Sequence, residues 1–176
     1  MQQQVGKDVC EYHIFDVNDY TSQANQVGLG RVHFHHWGLR SQDSKSPGQQ
    51  FMKLKSGYTL KGLHDIVKEL GHEHLETIDI FKIDCEGCEW TTFQDWVSPN
   101  MPRLQQIQVE LHEAPLEVID FFNTLENAGY VRTHKEPNIQ FGPSSVEYAF
   151  MKLDKEFFSA RKHRQGATAV LDSATC

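Results

Sequence analysis

Residues Ile78–Asp84 read IDIFKID, a short run rich in β-formers that ends on an acid and breaks at Cys85-Glu86-Gly87. A run of this length, bounded by a turn signal, reads as a strand buried on both faces. A helix with Trp90, Phe93 and Val97 on one side is expected to follow. A buried strand feeding an amphipathic helix is the repeating unit of a parallel α/β sheet, and the rest of the chain repeats it. Val9–Asp16 and Val32–His36 are predicted strands; alternation along the second sends His33 and His35 to one face and His36 to the other. Thr59 is expected to cap a helix carrying Leu60, Leu63, Val67 and Leu70, which Gly71 stops. Leu104–His112 alternates as a strand should. Pro115 opens a helix with Leu116, Ile119, Phe122 and Leu125 on one face, and Gly129 closes it. Tyr130–Glu136 and Val146–Leu153 follow with no helix between them, which predicts an antiparallel strand near the C-terminal edge of a mostly parallel sheet.

Composition sets limits on function. The chain has 176 residues, enough for one domain. Its 17 basic and 24 acidic residues give a net charge of −7, with no basic stripe interleaved with aromatics, so a nucleic-acid partner is not expected. No apolar run approaches the roughly 18 residues of a membrane helix. Met1-Gln2-Gln3-Gln4 lacks a signal-peptide core, which makes a reduced, cytoplasmic setting the default; a signal anchor would have to lie ahead of this sequence. Cys85-x-x-Cys88 offers two thiolates where a structural zinc needs four ligands. The pair is therefore read as two small buried hydrophobes, with a thiol redox protein as the weaker alternative. HExxH and GxxxxGK[ST] are both absent, and no metal site is predicted.

Ligands of open α/β sheets bind beyond the carboxyl ends of the strands. That rule selects Asp16, the His36-Trp37-Gly38 corner, Asp84 with Glu86, and Glu110 with His112. Asp16 can accept from ribose hydroxyls or serve as a turn-forming or helix-capping residue. Asp84 and Glu86 can bind an amine, orient a hydroxyl or hold a metal, while Glu86 can also cap the next helix. Glu110 and His112 are two apart on a strand and share a face. They suit a general base with its orienter, two-thirds of a metal site, or a satisfied polar pair.

The segment Phe81-Lys82-Ile83-Asp84-Cys85-Glu86-Gly87-Cys88-Glu89-Trp90 resembles the K-I-D-x-E-G-x-E signature of FkbM-like S-adenosylmethionine-dependent methyltransferases, in particular their eukaryotic methyltransferase-like subgroup. Phe15-Asp16, Trp37-Gly38-Leu39, Val109-Glu110-Leu111-His112, Glu136-Pro137-Asn138 and Val146-Glu147-Tyr148 extend the likeness over about residues 9–153. The resemblance implies a Rossmann-like class I methyltransferase sheet with one antiparallel strand, and S-adenosylmethionine as cofactor. It implies cofactor contacts from Asp16, Trp37, Gly38 and Asp84. It also implies acceptor chemistry from Asp84, Glu86, Glu110 and His112, on an oxygen of a small-molecule or glycan-like acceptor. Residues 1–153 form a partial methyltransferase-like domain in this reading, and residues 154–176 a C-terminal helix and tail. The family's first strand and glycine-rich loop are expected to be missing, since Gly28-Leu29-Gly30 precedes a strand instead of joining strand to helix. The expected result is weak or absent cofactor binding by the chain as given. The alternative is a non-catalytic remnant or binding module with the same fold.

Overall fold

The computed structural model describes residues 10–26, 31–42, 59–113, 115–138, 145–154 and 156–157. The chain divides into two units, residues 1–74 with 85–96 and residues 75–84 with 97–176. Val9, the Gly28-Leu29-Gly30 segment, most of the polar loop at 41–50 and most of the tail lie outside the described residues.

The first unit is built from short parallel strand pairs. β1 (Tyr12–Phe15) pairs with β2 (Val32–His35), and β3 (Trp37–Leu39) with β4 (Thr59–Lys61). A short helix, α1 (Thr21–Gln26), connects the first pair. The predicted helix at Thr59 starts later, as α2 (Leu63–Glu69), because Leu60 is spent as the sheet partner of Gly38. Leu63, Ile66 and Val67 form its buried face at the 3-and-4 spacing of a helix stripe. Gly71 ends it at φ +70°, a left-handed position that glycine adopts without a Cβ penalty. One turn of 3-10 helix (His72–His74) follows. The helix expected after the acidic turn breaks in two: α3 (Glu89–Thr92), then a 3-10 turn (Asp95–Val97). Its buried apolar residues are Cys88, Phe93 and Trp96, where the sequence pattern suggested Trp90, Phe93 and Val97.

The second unit holds a four-stranded sheet: β5 (Thr77–Ile83), β6 (Arg103–His112), β7 (Tyr130–Pro137) and β8 (Ser145–Lys152), in the order β5-β6-β8-β7. β5 and β6 are parallel, and β8 is antiparallel to both of its neighbours. One strand of this sheet is thus reversed, beside the C-terminal edge, as expected of the mostly parallel α/β sheet. The most buried strand is β6, with Leu104 and Ile107 fully enclosed; among the described residues β5 is an outer strand of this sheet and leaves Ile80 exposed. The sequence alone had pointed to β5, whose hydrophobicity does not reveal how many neighbours it has. The helix α4 (Val118–Asn127) covers this core with Phe121 and Leu125. Leu116, expected on the buried face, is 96% exposed because the helix begins two residues after it, and Ile119 faces outward as well. Among the described residues no helix is long and apolar enough to cross a membrane.

Candidate active site

In the second unit the carboxyl ends of β5 and β6 lie side by side, with Ile83 in register with Val109. This register sets Asp84, which follows Ile83, next to the end of β6. Glu110 and His112 share a face there, and His112 Nε2 lies 3.7 Å from Asp84 Oδ1 and 3.9 Å from Glu110 Oε1. Three of the residues selected from sequence therefore meet, and their ligating atoms fall within 4.8 Å of one another.

The reversed strand completes the site. Because β8 runs against β6, its first residue, Ser145, pairs with His112. Asn138 follows the end of β7 and donates from Nδ2 to Glu110 Oε1 at 2.9 Å. The bond from Asn138 is the main reason the Glu110 carboxyl sits below its usual range. Burial opposes that shift, and a hydrogen bond from Ser145 and the nearby His112 reinforce it. Glu110, only 8% exposed, is thus held as a carboxylate in a half-closed setting. Neither Asn138 nor Ser145 was assigned a role from sequence. The Pro137-Asn138 pair was visible only as part of the family likeness, and Ser145 becomes legible only once the β6–β8 register is known.

The remaining selected residues belong to the first unit. Asp16 directly follows β1, and its Oδ1 accepts from the Asn18 backbone N–H at 2.7 Å and from Asn18 Nδ2 at 3.1 Å. This is the turn-forming use of an aspartate. Both bonds end on Oδ1. The Trp37 ring lies tilted against His35, 4.6 Å between ring centroids, and Lys61 Nζ lies 3.4 Å from its ring centre. At Gly38 a Cβ would come 2.5 Å from Leu60 Cδ2 and 2.6 Å from Val17 Cγ1, so close packing of neighbouring side chains accounts for the glycine.

Glu86 is exposed and sits at φ +56°, and Gly87 follows at φ +108°. These two left-handed residues turn the chain back on itself. Cys85 and Cys88 come to a Cα separation of 5.4 Å, within disulfide range, and are bonded to each other. The expectation of two unlinked buried hydrophobes is corrected here. The spacing does not reveal that the turn between them closes so tightly. Glu86 does not cap the helix, whose N-cap, Cys88, has no side-chain cap bond; the turn is braced by Glu89, fully buried, which accepts the Gly87 N–H on Oε2 at 3.0 Å.

No curated protein matches the chain. Two solved structures resemble it at 10% identity and a TM-score of 0.45. One is Aeropyrum pernix fibrillarin in complex with natively bound S-adenosyl-L-methionine, aligned over 80% of this chain and 66% of that one. The other is the Methanococcus jannaschii fibrillarin pre-rRNA processing protein, aligned over 82% and 68%. This chain spans about two thirds of the length of each. A family model described as a methyltransferase domain matches residues 1–152, most of the sequence, and on that match the chain belongs to the methyltransferase-domain family.

Proposed function

We propose that the protein is an S-adenosylmethionine-dependent O-methyltransferase of the FkbM-like subgroup, acting on a hydroxyl of a small molecule or glycan. The family match over residues 1–152 carries the reading. The Lys82-Ile83-Asp84-Cys85-Glu86-Gly87-Cys88-Glu89 block supports the subgroup. Each unit offers groups of the kind this cofactor needs: in the first, Asp16 follows β1 with a carboxylate for a ribose hydroxyl and Trp37 and Gly38 open β3; in the second, Asp84 follows β5 with a carboxylate for the amino group of the methionine end. S-adenosylmethionine, when bound, supplies an electrophilic methyl on a sulfonium.

His112 is the base in this reading. Its Nε2 would take the acceptor hydroxyl's proton, leaving an oxygen nucleophile for the methyl that the cofactor supplies. Asp84 and Glu110, each within 4 Å of that nitrogen, stabilise the imidazolium that results. Asn138 and Ser145 keep Glu110 charged for that task. Glu86 is exposed on the turn and adds a carboxylate for recognition of a polar acceptor.

Calorimetry with S-adenosylmethionine and a labelled-methyl assay over small-molecule, glycan and RNA acceptors test this. Asp16→Ala should weaken cofactor binding by about 1–3 kcal/mol. His112→Ala should leave cofactor binding intact and depress turnover by about 10²–10⁴-fold. Absence of cofactor binding both in this chain and in an N-terminally extended one would favour a binding module with this fold, and transfer to RNA alone would overturn the acceptor class.

A further inference from the structure

The β1–β2 pair carries a cluster that methyl transfer does not use. Alternation puts Glu11, His13 and Phe15 on one face, and the parallel register sets His33 beside His13 and His35 beside Phe15 on that same face. Glu11 Oε1 lies 3.4 Å from His13 Nε2 and 3.2 Å from His33 Nε2, while Arg31 approaches the other carboxylate oxygen at 3.6 Å. His72, on the 3-10 turn after α2, meets the His13 ring edge to face at 5.0 Å between centroids. Ligating atoms of Glu11, His13 and His72 all fall within 4.8 Å of one another.

His13 decides what belongs among them. Its Nδ1 is 2.9 Å from His35 Nε2, so one ring donates to the other. With Nδ1 as donor, Nε2 carries a lone pair. That Nε2 is buried and has no hydrogen-bond partner, yet a carboxylate oxygen faces it at 3.4 Å. In that tautomer a lone pair and a carboxylate face each other, and a metal cation between them relieves the repulsion; a proton on Nε2 would do the same in the other tautomer. Zinc bonds to imidazole nitrogen and carboxylate oxygen are about 2.0–2.2 Å, which spaces tetrahedral neighbours about 3.3–3.5 Å apart. The Glu11–His13 separation of 3.4 Å matches that edge.

We propose that Glu11, His13 and His72 bind Zn²⁺, with His33 or a water as fourth ligand and His35 fixing the His13 tautomer through Nδ1. Imidazole and carboxylate donors suit zinc, and the neighbour that orients a ligating histidine is part of such a site. The sequence could not show it, since two ligands come from one end of β1 and a third from a turn about sixty residues away. The site stands independently of the methyltransferase reading.

The test uses the untagged full chain, stripped with chelator, disulfide intact, and titrated with Co²⁺ and then with Zn²⁺ against a chromophoric competitor. One equivalent should bind, giving visible d–d bands without the near-ultraviolet thiolate band that cysteine ligation would add. His13→Ala and His72→Gln should each lower affinity at least ~100-fold, and His35→Ala ~10–100-fold. Far-UV circular dichroism checks folding; His72→Gln, on a surface turn, carries the test if His13→Ala does not fold. No bound metal, a thiolate band, or affinity unchanged in His72→Gln overturns the proposal. So does loss of binding in His112→Gln with His72→Gln unaffected, which would move the metal to the other cluster.

Discussion

The two strand systems of this protein are built on different terms. In the second unit a ten-residue strand, β6, has a neighbour on each side and a helix over one face; Leu104, Ile107, Phe121 and Leu125 are wholly enclosed. In the first unit the strands are three or four residues long and paired in twos, and Ile14, Phe15 and Tyr20 remain 38–48% exposed. Apolar burial stabilises in proportion to the area removed from water, so the second unit carries the larger share. The first unit's β1–β2 face is lined instead by imidazoles, whose ring nitrogens are suited to ligands.

The largest expected effect follows directly. Phe121→Ala should destabilise by about 3–5 kcal/mol, and Phe15→Ala by less than about 1 kcal/mol, in urea unfolding. Equal costs would break the comparison. Gly38→Ala should cost about 1–3 kcal/mol even in the sparser unit, since the added methyl meets Leu60 and Val17 and both must give way.

Asn138→Ala should cost about 1.5–3 kcal/mol at neutral pH, the range for a hydrogen bond to a charged group. The sign of its pH dependence is fixed. Glu110 lies below its usual value when folded, so its contribution is present above about pH 4 and lost as pH falls through the folded value. The gap between variant and parent should therefore narrow in acid; a gap that stays constant would mean Asn138 acts through packing.

A smaller effect is expected at Tyr130, whose hydroxyl donates to the Leu104 carbonyl at 2.7 Å. Burial raises its phenol to about 12. Stability should fall as pH rises from about 10, where the unfolded phenol ionises, through that folded value. Tyr130→Phe should cost about 1 kcal/mol at pH 7 and remove this alkaline slope in thermal melts.

Much of this was legible in the sequence because local chemistry decided it. Strand runs ending on acids located Asp84, Glu110 and His112 at one sheet end, and a three-residue acid–cysteine–acid turn located the motif. The misplacements share a different cause. Whether Ile80 is enclosed depends on which strands flank β5, whether Leu60 is helix or strand depends on Gly38, and whether Ser145 reaches the site depends on the direction of β8. Sequence-local patterns do not contain those distant pairings. The Cys85–Cys88 bond likewise depends on the two left-handed residues between them, one of which is a glutamate.

The position of β8 has a consequence for how the chain assembles. Among the described residues it is the last strand in chain order, yet it lies inside the sheet, and β7 has no other sheet partner there. During synthesis β6 can pair with β5 early, but β7 must wait until residues 145–152 emerge, and its exposed hydrogen-bonding edge stays open meanwhile. Closing the sheet then joins β8 to a strand some forty residues upstream, a non-local pairing that sets a slow step. Asn138 and Ser145 reach Glu110 only through that step, so the strand ends around His112 are completed last, when the final hairpin docks.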